Sequence, residues 1–182
     1  MRKFYLLIIV ILVLSYSSCN QSPKSTTANS TKGKAIDSLK YIPQSIGWTN
    51  DFYHLFSKKE IESLDSLISS YEKKTSVQFA IATIDSFMLG PIEFEPYTLL
   101  MSRTWGVGAK KKNNGILIVL APDLRRIRIQ NGYGIEKILS NEETKNIIDS
   151  VFIPKFRENK FFIGTKEGIL AIIKKLDQNS IR

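Results

Sequence analysis

Polar and apolar positions divide the chain into three stretches. The first carries Arg2 and Lys3 and then an apolar run from Phe4 to Leu14. Such a run is shorter than the roughly 20 residues that span a bilayer, and with a positive start it has the layout of a secretory signal, residues 1–18. An anchor that stays uncleaved is the alternative. The second stretch, residues 20–47, is rich in Ser, Thr, Asn and Lys and poor in apolar residues, which predicts a flexible tether. The third, residues 48–182, shows helical and strand periods in alternation.

In that third stretch Ser57 and Glu60 form a capping box, followed by Ile61, Leu64, Leu67, Ile68 and Tyr71 at helical spacing. This predicts an amphipathic helix over 57–74. Val77 to Ile84 is β-branched and aromatic and reads as a mostly buried strand. Pro96 can open a second helix at its first turn, with Leu99, Leu100 and Trp105 as its apolar face and Gly106 to Gly108 as its end. Ile116 to Ala121 is continuously apolar, as in a central strand covered on both faces. After a turn at Pro122–Arg125, residues 126–130 alternate, with Ile127 and Ile129 on one side and Arg126 and Arg128 on the other. Ser140 and Glu143 form a second capping box and open a helix to about Phe152. Pro154 starts a further turn, and residues 165–177 form a last helix with Ile169, Ile172, Ile173 and Leu176 inside. The order predicts an α/β fold, a three-layer α/β/α sandwich on a small mixed β-sheet. Strands 77–84 and 116–121 would be parallel with a right-handed crossover, and 116–130 a hairpin.

Composition narrows the chemistry. Of 182 residues one is Cys and one is His. Cys19 alone permits no internal disulfide and no CxxC site, and His54 alone permits no zinc motif built on two imidazoles. The net charge of +9 falls to +4 once the first 47 residues are set aside, so a nucleic-acid partner is not indicated. Cys19 follows Ser15, Tyr16, Ser17 and Ser18, and the arrangement resembles a bacterial lipoprotein signal. It departs from that pattern in having Tyr16 where an aliphatic residue is usual. The resemblance implies lipidation of Cys19 and attachment to a membrane in the cell envelope. Asn20, with no acidic cluster after it, points by the same resemblance to the periplasmic face of the outer membrane.

Four segments carry a second resemblance. Thr49-Asn50-Asp51-Phe52 with Phe56-Ser57 is similar to a "V-N-D…L-S" start, and Thr104 to Gly108 to "W-G-I-G". Asn113 to Leu117 is similar to "D-N-G-V-L", and Arg125 to Ile129 with Gly132 to Glu136 to "R-K-V-R-I…G-Y-G-L-E". In this order they resemble the TPM domain family, named for a thylakoid-lumen acid phosphatase, a photosystem II repair protein and a receptor modulator. The resemblance covers about residues 49–176 and places the domain at 48–182. It implies an α/β/α sandwich, a divalent-cation site and, in some members, weak phosphatase activity.

Asp51, Asn113, Asn114, Asp123 and Glu136 all fall where strands meet loops, and hard oxygen donors of this kind suit Ca²⁺ or Mg²⁺. The expectation is that they gather at one edge of the sheet. Asn113 stands where the family has Asp, and Leu124 near another such Asp, so any cation would be weakly bound. Asp51 could equally be a turn or capping residue. Gly132, Tyr133 and Gly134 could orient a ligand, or simply form a tight corner. Arg125, Arg126 and Arg128 could hold a phosphate or form a solvated face. The favoured expectation is an envelope-tethered module that binds a cation or an envelope protein with little or no catalysis. The alternative is a divalent-metal-dependent acid phosphatase, with Asp51 or Asp123 on the metal and Arg125 on the phosphate.

Overall fold

A computed structural model describes residues 38–108 and 112–180. The signal segment, Cys19 and the first part of the tether lie outside the described residues.

The fold is organised by one strand. β3, Gly115–Ala121, is buried along its whole length, as its unbroken apolar run predicts. Its odd and even side chains must both be covered, so two cores form. Ile116, Ile118 and Leu120 join one, and Leu117, Val119 and Ala121 the other. β2, Gln78–Thr83, pairs with β3 in parallel, and β1, Thr49–Asp51, pairs with β2 in parallel. β4, Arg126–Asn131, closes the sheet antiparallel to β3, giving the order β1-β2-β3-β4. The mixed sheet with helices on both sides is the expected α/β sandwich.

One face is covered by α1, Lys58–Thr75, and by the C-terminal helices. Leu64, Ile68 and Tyr71 of α1 are buried there, and Glu60 accepts the Ser57 backbone N–H at 2.8 Å. After β4 come a single helical turn, α3 (Tyr133–Glu136), and then α4 (Asn141–Ile147). Ser140 caps α4: its hydroxyl accepts the Glu143 N–H at 3.2 Å, and Glu143 accepts the Ser140 N–H at 3.0 Å. A π-helical turn over Ile148–Phe152 leads into α5, Ile153–Arg157, so the chain stays helical across Pro154. Widening the helix just before Pro154 accommodates the ring and the missing donor. α6, Phe161–Ser180, packs Ile169, Ile172 and Leu176 into the same core. Gly168 lets it approach closely, because a Cβ there would stand 2.1 Å from carbons of the Phe152 ring.

The other face is covered by α2, Phe94–Trp105, and by a 3₁₀ turn at Ser86–Leu89. The buried side of α2 is Phe94, Tyr97, Thr98 and Met101, and Leu99 is exposed. This corrects the expected face at Leu99 and Leu100, while Trp105, half-buried, does pack against that core. The helix begins two residues before Pro96, and Phe94, Tyr97, Thr98 and Met101 recur at i, i+3, i+4 and i+7, so the stripe includes Tyr and Thr rather than the leucines. Pro96 still lies in the first turn, where a backbone N–H has no helical partner in any case.

Two further differences concern the amino-terminal side. β1 is too short to show a period and was not visible as a strand. Part of the stretch expected to be tether up to residue 47 is packed on the domain, at Tyr41 to Pro43, while residues 44–47 are exposed. Tyr41 and Ile42 lie against the α2-side core. The Tyr97 hydroxyl donates to the Tyr41 carbonyl at 2.9 Å, and Trp105 Nε1 to the Pro43 carbonyl at 2.7 Å. The Tyr41 ring fills the space over Gly90, where a Cβ would meet it at 2.4 Å. A few apolar residues in a polar stretch were enough to dock it.

Two predictions follow from this packing. Gly168→Ala should lower stability by about 1–3 kcal/mol in urea unfolding, the usual cost of overpacking. Gly47→Ala, with nothing within 4 Å of the added carbon, should leave it unchanged. The second concerns acid. The Ser140 amide and then the Lys175 ammonium hold the Glu143 carboxyl at about 2, against an ordinary 4.5. A lowered carboxyl contributes stability above its unfolded value and loses it as pH falls through the folded one. Unfolding free energy should therefore decline between pH 4.5 and 2, and Glu143→Gln should flatten that part of the profile.

Candidate functional site

The expected ligand residues lie at two opposite ends of the sheet. At the carboxyl end of the parallel strands stand Asp51, which ends β1, and Asp123, in the turn after β3. Asn113, Asn114, Gly132, Tyr133, Gly134 and Glu136 lie at the other end. Six residue steps of β3 separate the two ends, roughly 20 Å at strand rise. The expectation of one cluster is thereby corrected. The physical reason is twofold: Asn113 and Asn114 lead into the start of β3 whereas Asp123 follows its end, and β4 runs antiparallel to β3, so its end at Asn131 lies beside Ile116 rather than beside Ala121.

Asp51 is a brace. One carboxylate oxygen accepts the Leu55 N–H at 2.9 Å and the other the Phe56 N–H at 2.8 Å. The Thr83 hydroxyl of the neighbouring strand also donates to this carboxylate, and accepts the Tyr53 N–H at 3.0 Å. Asp51 thus fixes the loop that leads into α1 and ties β1 to β2. Of its two expected roles, the geometry displays that of the turn residue.

Asp123 does similar work on the next loop. It accepts the Ser86 N–H at 2.8 Å and the Leu124 N–H at 2.9 Å, which pins the β3–β4 turn to the 3₁₀ turn after β2. Partial burial pushes its carboxyl up, but the bonds from Ser86 and Leu124 outweigh this and hold it below its ordinary value. Asp85 accepts the Met88 N–H at 2.9 Å and caps that same turn. The turn carries Phe87, 91% exposed. Arg125 has φ 51°, a left-handed conformation rare outside Gly, Asn and Asp. Arg126 leaves the end altogether, bonding Glu95 and stacking over the Phe94 ring at 4.8 Å.

At the opposite end the glycines permit backbone crossing. A Cβ on Gly115 would lie 2.0 Å from the Val107 carbonyl oxygen, and one on Gly132 2.3 Å from that of Asn113. Asn113 accepts the Gly134 N–H at 3.0 Å through its carbonyl, and Asn114 accepts that of Gln78 at 3.0 Å. The Asn114 side-chain amide donates to the Ser76 carbonyl. Tyr133 is 72% exposed, and Glu136 is exposed too.

A divalent cation needs converging oxygens. Among the described residues no group of three or more Asp, Glu, His or Cys side chains is placed to hold a metal ion. The five expected ligands do not fit one site, and the two aspartates at the carboxyl end direct their oxygens at backbone amides. Thr83 and Ser86, which complete these braces, were not expected. Their only sequence signal was position, at and just after the end of a buried strand.

The sheet order, the two cores and the braced loops at one sheet end define a small α/β/α sandwich. Residues 49–175 match the TPM domain, and the chain belongs to that family. It is similar to the solution structure of the N-terminal domain of a protein from P. gingivalis. There the identity is 34%, the TM-score is 0.65, and 78% of this chain and 85% of that one are covered. The N-terminal domain of the cg2496 protein from Corynebacterium glutamicum shares the fold, at 16% identity and a TM-score of 0.53, over 74% of this chain and 80% of that one. No curated protein matches.

Asp51→Ala should destabilise the domain by about 2–3 kcal/mol, since it strands two amides that were bonded to a charge. Asp123→Ala, on an exposed turn, should cost about 1 kcal/mol. Urea unfolding of the two variants checks the order.

Proposed function

We propose that the chain is an envelope-tethered TPM module that binds a protein partner, with little or no catalysis. The supporting observation is the use to which Asp51 and Asp123 are put. Metal-assisted hydrolysis needs carboxylate oxygens free to hold a cation that activates water. Here those oxygens hold loops in shape. The loops so fixed lie at the carboxyl end of parallel strands, the usual position for a site in an open α/β sheet, and they present Phe87 to solvent. An exposed aromatic on a rigid turn suits recognition, because its contact area costs little ordering on binding. A cation, if it binds, would be Ca²⁺ or Mg²⁺ held weakly by oxygens of these loops. Attachment would come from lipid on Cys19, and the lipoprotein-like segment around that residue supports a place at the periplasmic face of the outer membrane. None of the described helices is long and apolar enough to cross a membrane.

Three measurements test this reading. A photo-crosslinker at position 87 in living cells should trap one protein, and one at position 133, at the other sheet end, should not. Equal trapping at both would refute the assigned surface. Turnover of an aryl phosphate with Mg²⁺ or Ca²⁺ should be negligible, whereas metal-dependent turnover lost in a folded Asp123→Asn variant would establish the phosphatase alternative. Cys19→Ser should remove the lipid mass and release the protein from membranes, and an unchanged mass would disprove the tether.

A further inference from the structure

A second feature lies behind the β3–β4 turn, on the α1/α6 face of the sheet. It is a cleft of about 600 Å³ between the hairpin and the α5–α6 corner. That volume is within the range of small-molecule sites. Its apolar wall comes from Leu120 and Ile127 of the sheet and from Phe156 and Phe161 of the helices. The rings of Phe156 and Phe161 stand 5.1 Å apart.

The charged part of the lining is cationic, and Asn159 adds a neutral amide. Arg125 stands on the hairpin and Arg157 at the end of α5, and no carboxylate lines the cleft. The nearest acids along the chain are engaged elsewhere. Asp123 bonds the Ser86 and Leu124 amides, and Glu158 pairs with Lys160 at 2.7 Å. Arg126 also borders the cleft, but its guanidinium is paired with Glu95. Among the described residues neither Arg125 nor Arg157 has an ion-pair partner. Two uncompensated guanidinium groups beside an aromatic wall are a chemical specification. Guanidinium recognises a planar or tetrahedral oxyanion with paired donors, and the wall covers apolar surface.

We propose that this cleft binds a small soluble amphiphilic anion, one carboxylate or phosphate head on an apolar body. The head sits between Arg125 and Arg157, and the body lies on Phe156 and Phe161. The site is separate from the Phe87 surface, and its occupancy does not depend on the partner assigned there.

Calorimetric titration of the full-length chain in zwitterionic nanodiscs tests it, with empty discs as the blank. The probes are 1-naphthoate, 1-naphthyl phosphate, the neutral 1-naphthalenemethanol and inorganic phosphate. Either naphthyl anion should bind at least tenfold more tightly than both the alcohol and inorganic phosphate. Arg125→Gln and Arg157→Gln should each weaken that binding at least fivefold with the thermal midpoint unchanged, and Lys174→Gln, an exposed cation elsewhere on α6, should not. Equal binding of the alcohol, equal binding of inorganic phosphate, or equal loss in Lys174→Gln would each overturn the site. Loss of naphthoate binding in discs containing phosphatidylglycerol would assign the cleft to lipid headgroups and overturn the soluble ligand.

Discussion

The need to bury β3 on both faces governs the rest of the structure. Its apolar side chains point alternately up and down, and each is worth about 1.5–3 kcal/mol only if covered. A helical layer on a single side would leave half of them in water. The chain therefore divides its helices, with α1 and α3 to α6 on one face and α2 on the other. The alternation of β2 follows from the same demand, and so does that of β4, whose isoleucines face the larger core. Even the docking of Tyr41 and Ile42 extends the cover of the smaller layer.

That constraint is what made most of the fold legible. An unbroken run such as Ile116–Ala121 has one common explanation in a small domain, and two capping boxes marked helix starts to within a residue. What stayed hidden was information that sequence carries only weakly. β1 has three residues and no period, and it is a strand because Asn50 and Asp51 find partners across Ile81 and Thr83. The buried stripe of α2 includes Tyr97 and Thr98, amphipathic residues that a reading by apolarity passes over in favour of the leucines. Docking of Tyr41 depended on a space over Gly90 that exists only once the domain has folded.

The candidate site was less legible, for a geometric reason. Four of the five expected ligands do sit beside a strand end, and Glu136 lies in the short helix that follows β4. Yet a sheet has two ends, and the hairpin sends Gly132 to Glu136 back to the end that Asp51 and Asp123 do not occupy. Asp51 illustrates a second difficulty: a carboxylate fit to ligate a cation is equally fit to accept two backbone amides and a hydroxyl. Only the positions of Leu55, Phe56 and Thr83 separate the two uses. The motif glycines resolve similarly, into places where two backbones pass too closely for any side chain.

The sheet order has a consequence for how copies of this domain behave when crowded. A sheet edge is an invitation to pair with another edge, because its outward N–H and C=O groups are unspent. One edge here is β1, with three residues, too short to template a ladder. The other is β4, where Arg126, paired with Glu95, and Arg128 alternate with the isoleucines, so a second β4 brought alongside meets charged rather than apolar side chains on that face. The long apolar strand that would aggregate most readily is β3, and it has a neighbour on each side. The domain can therefore be packed at high local density without its sheets fusing into a common ribbon.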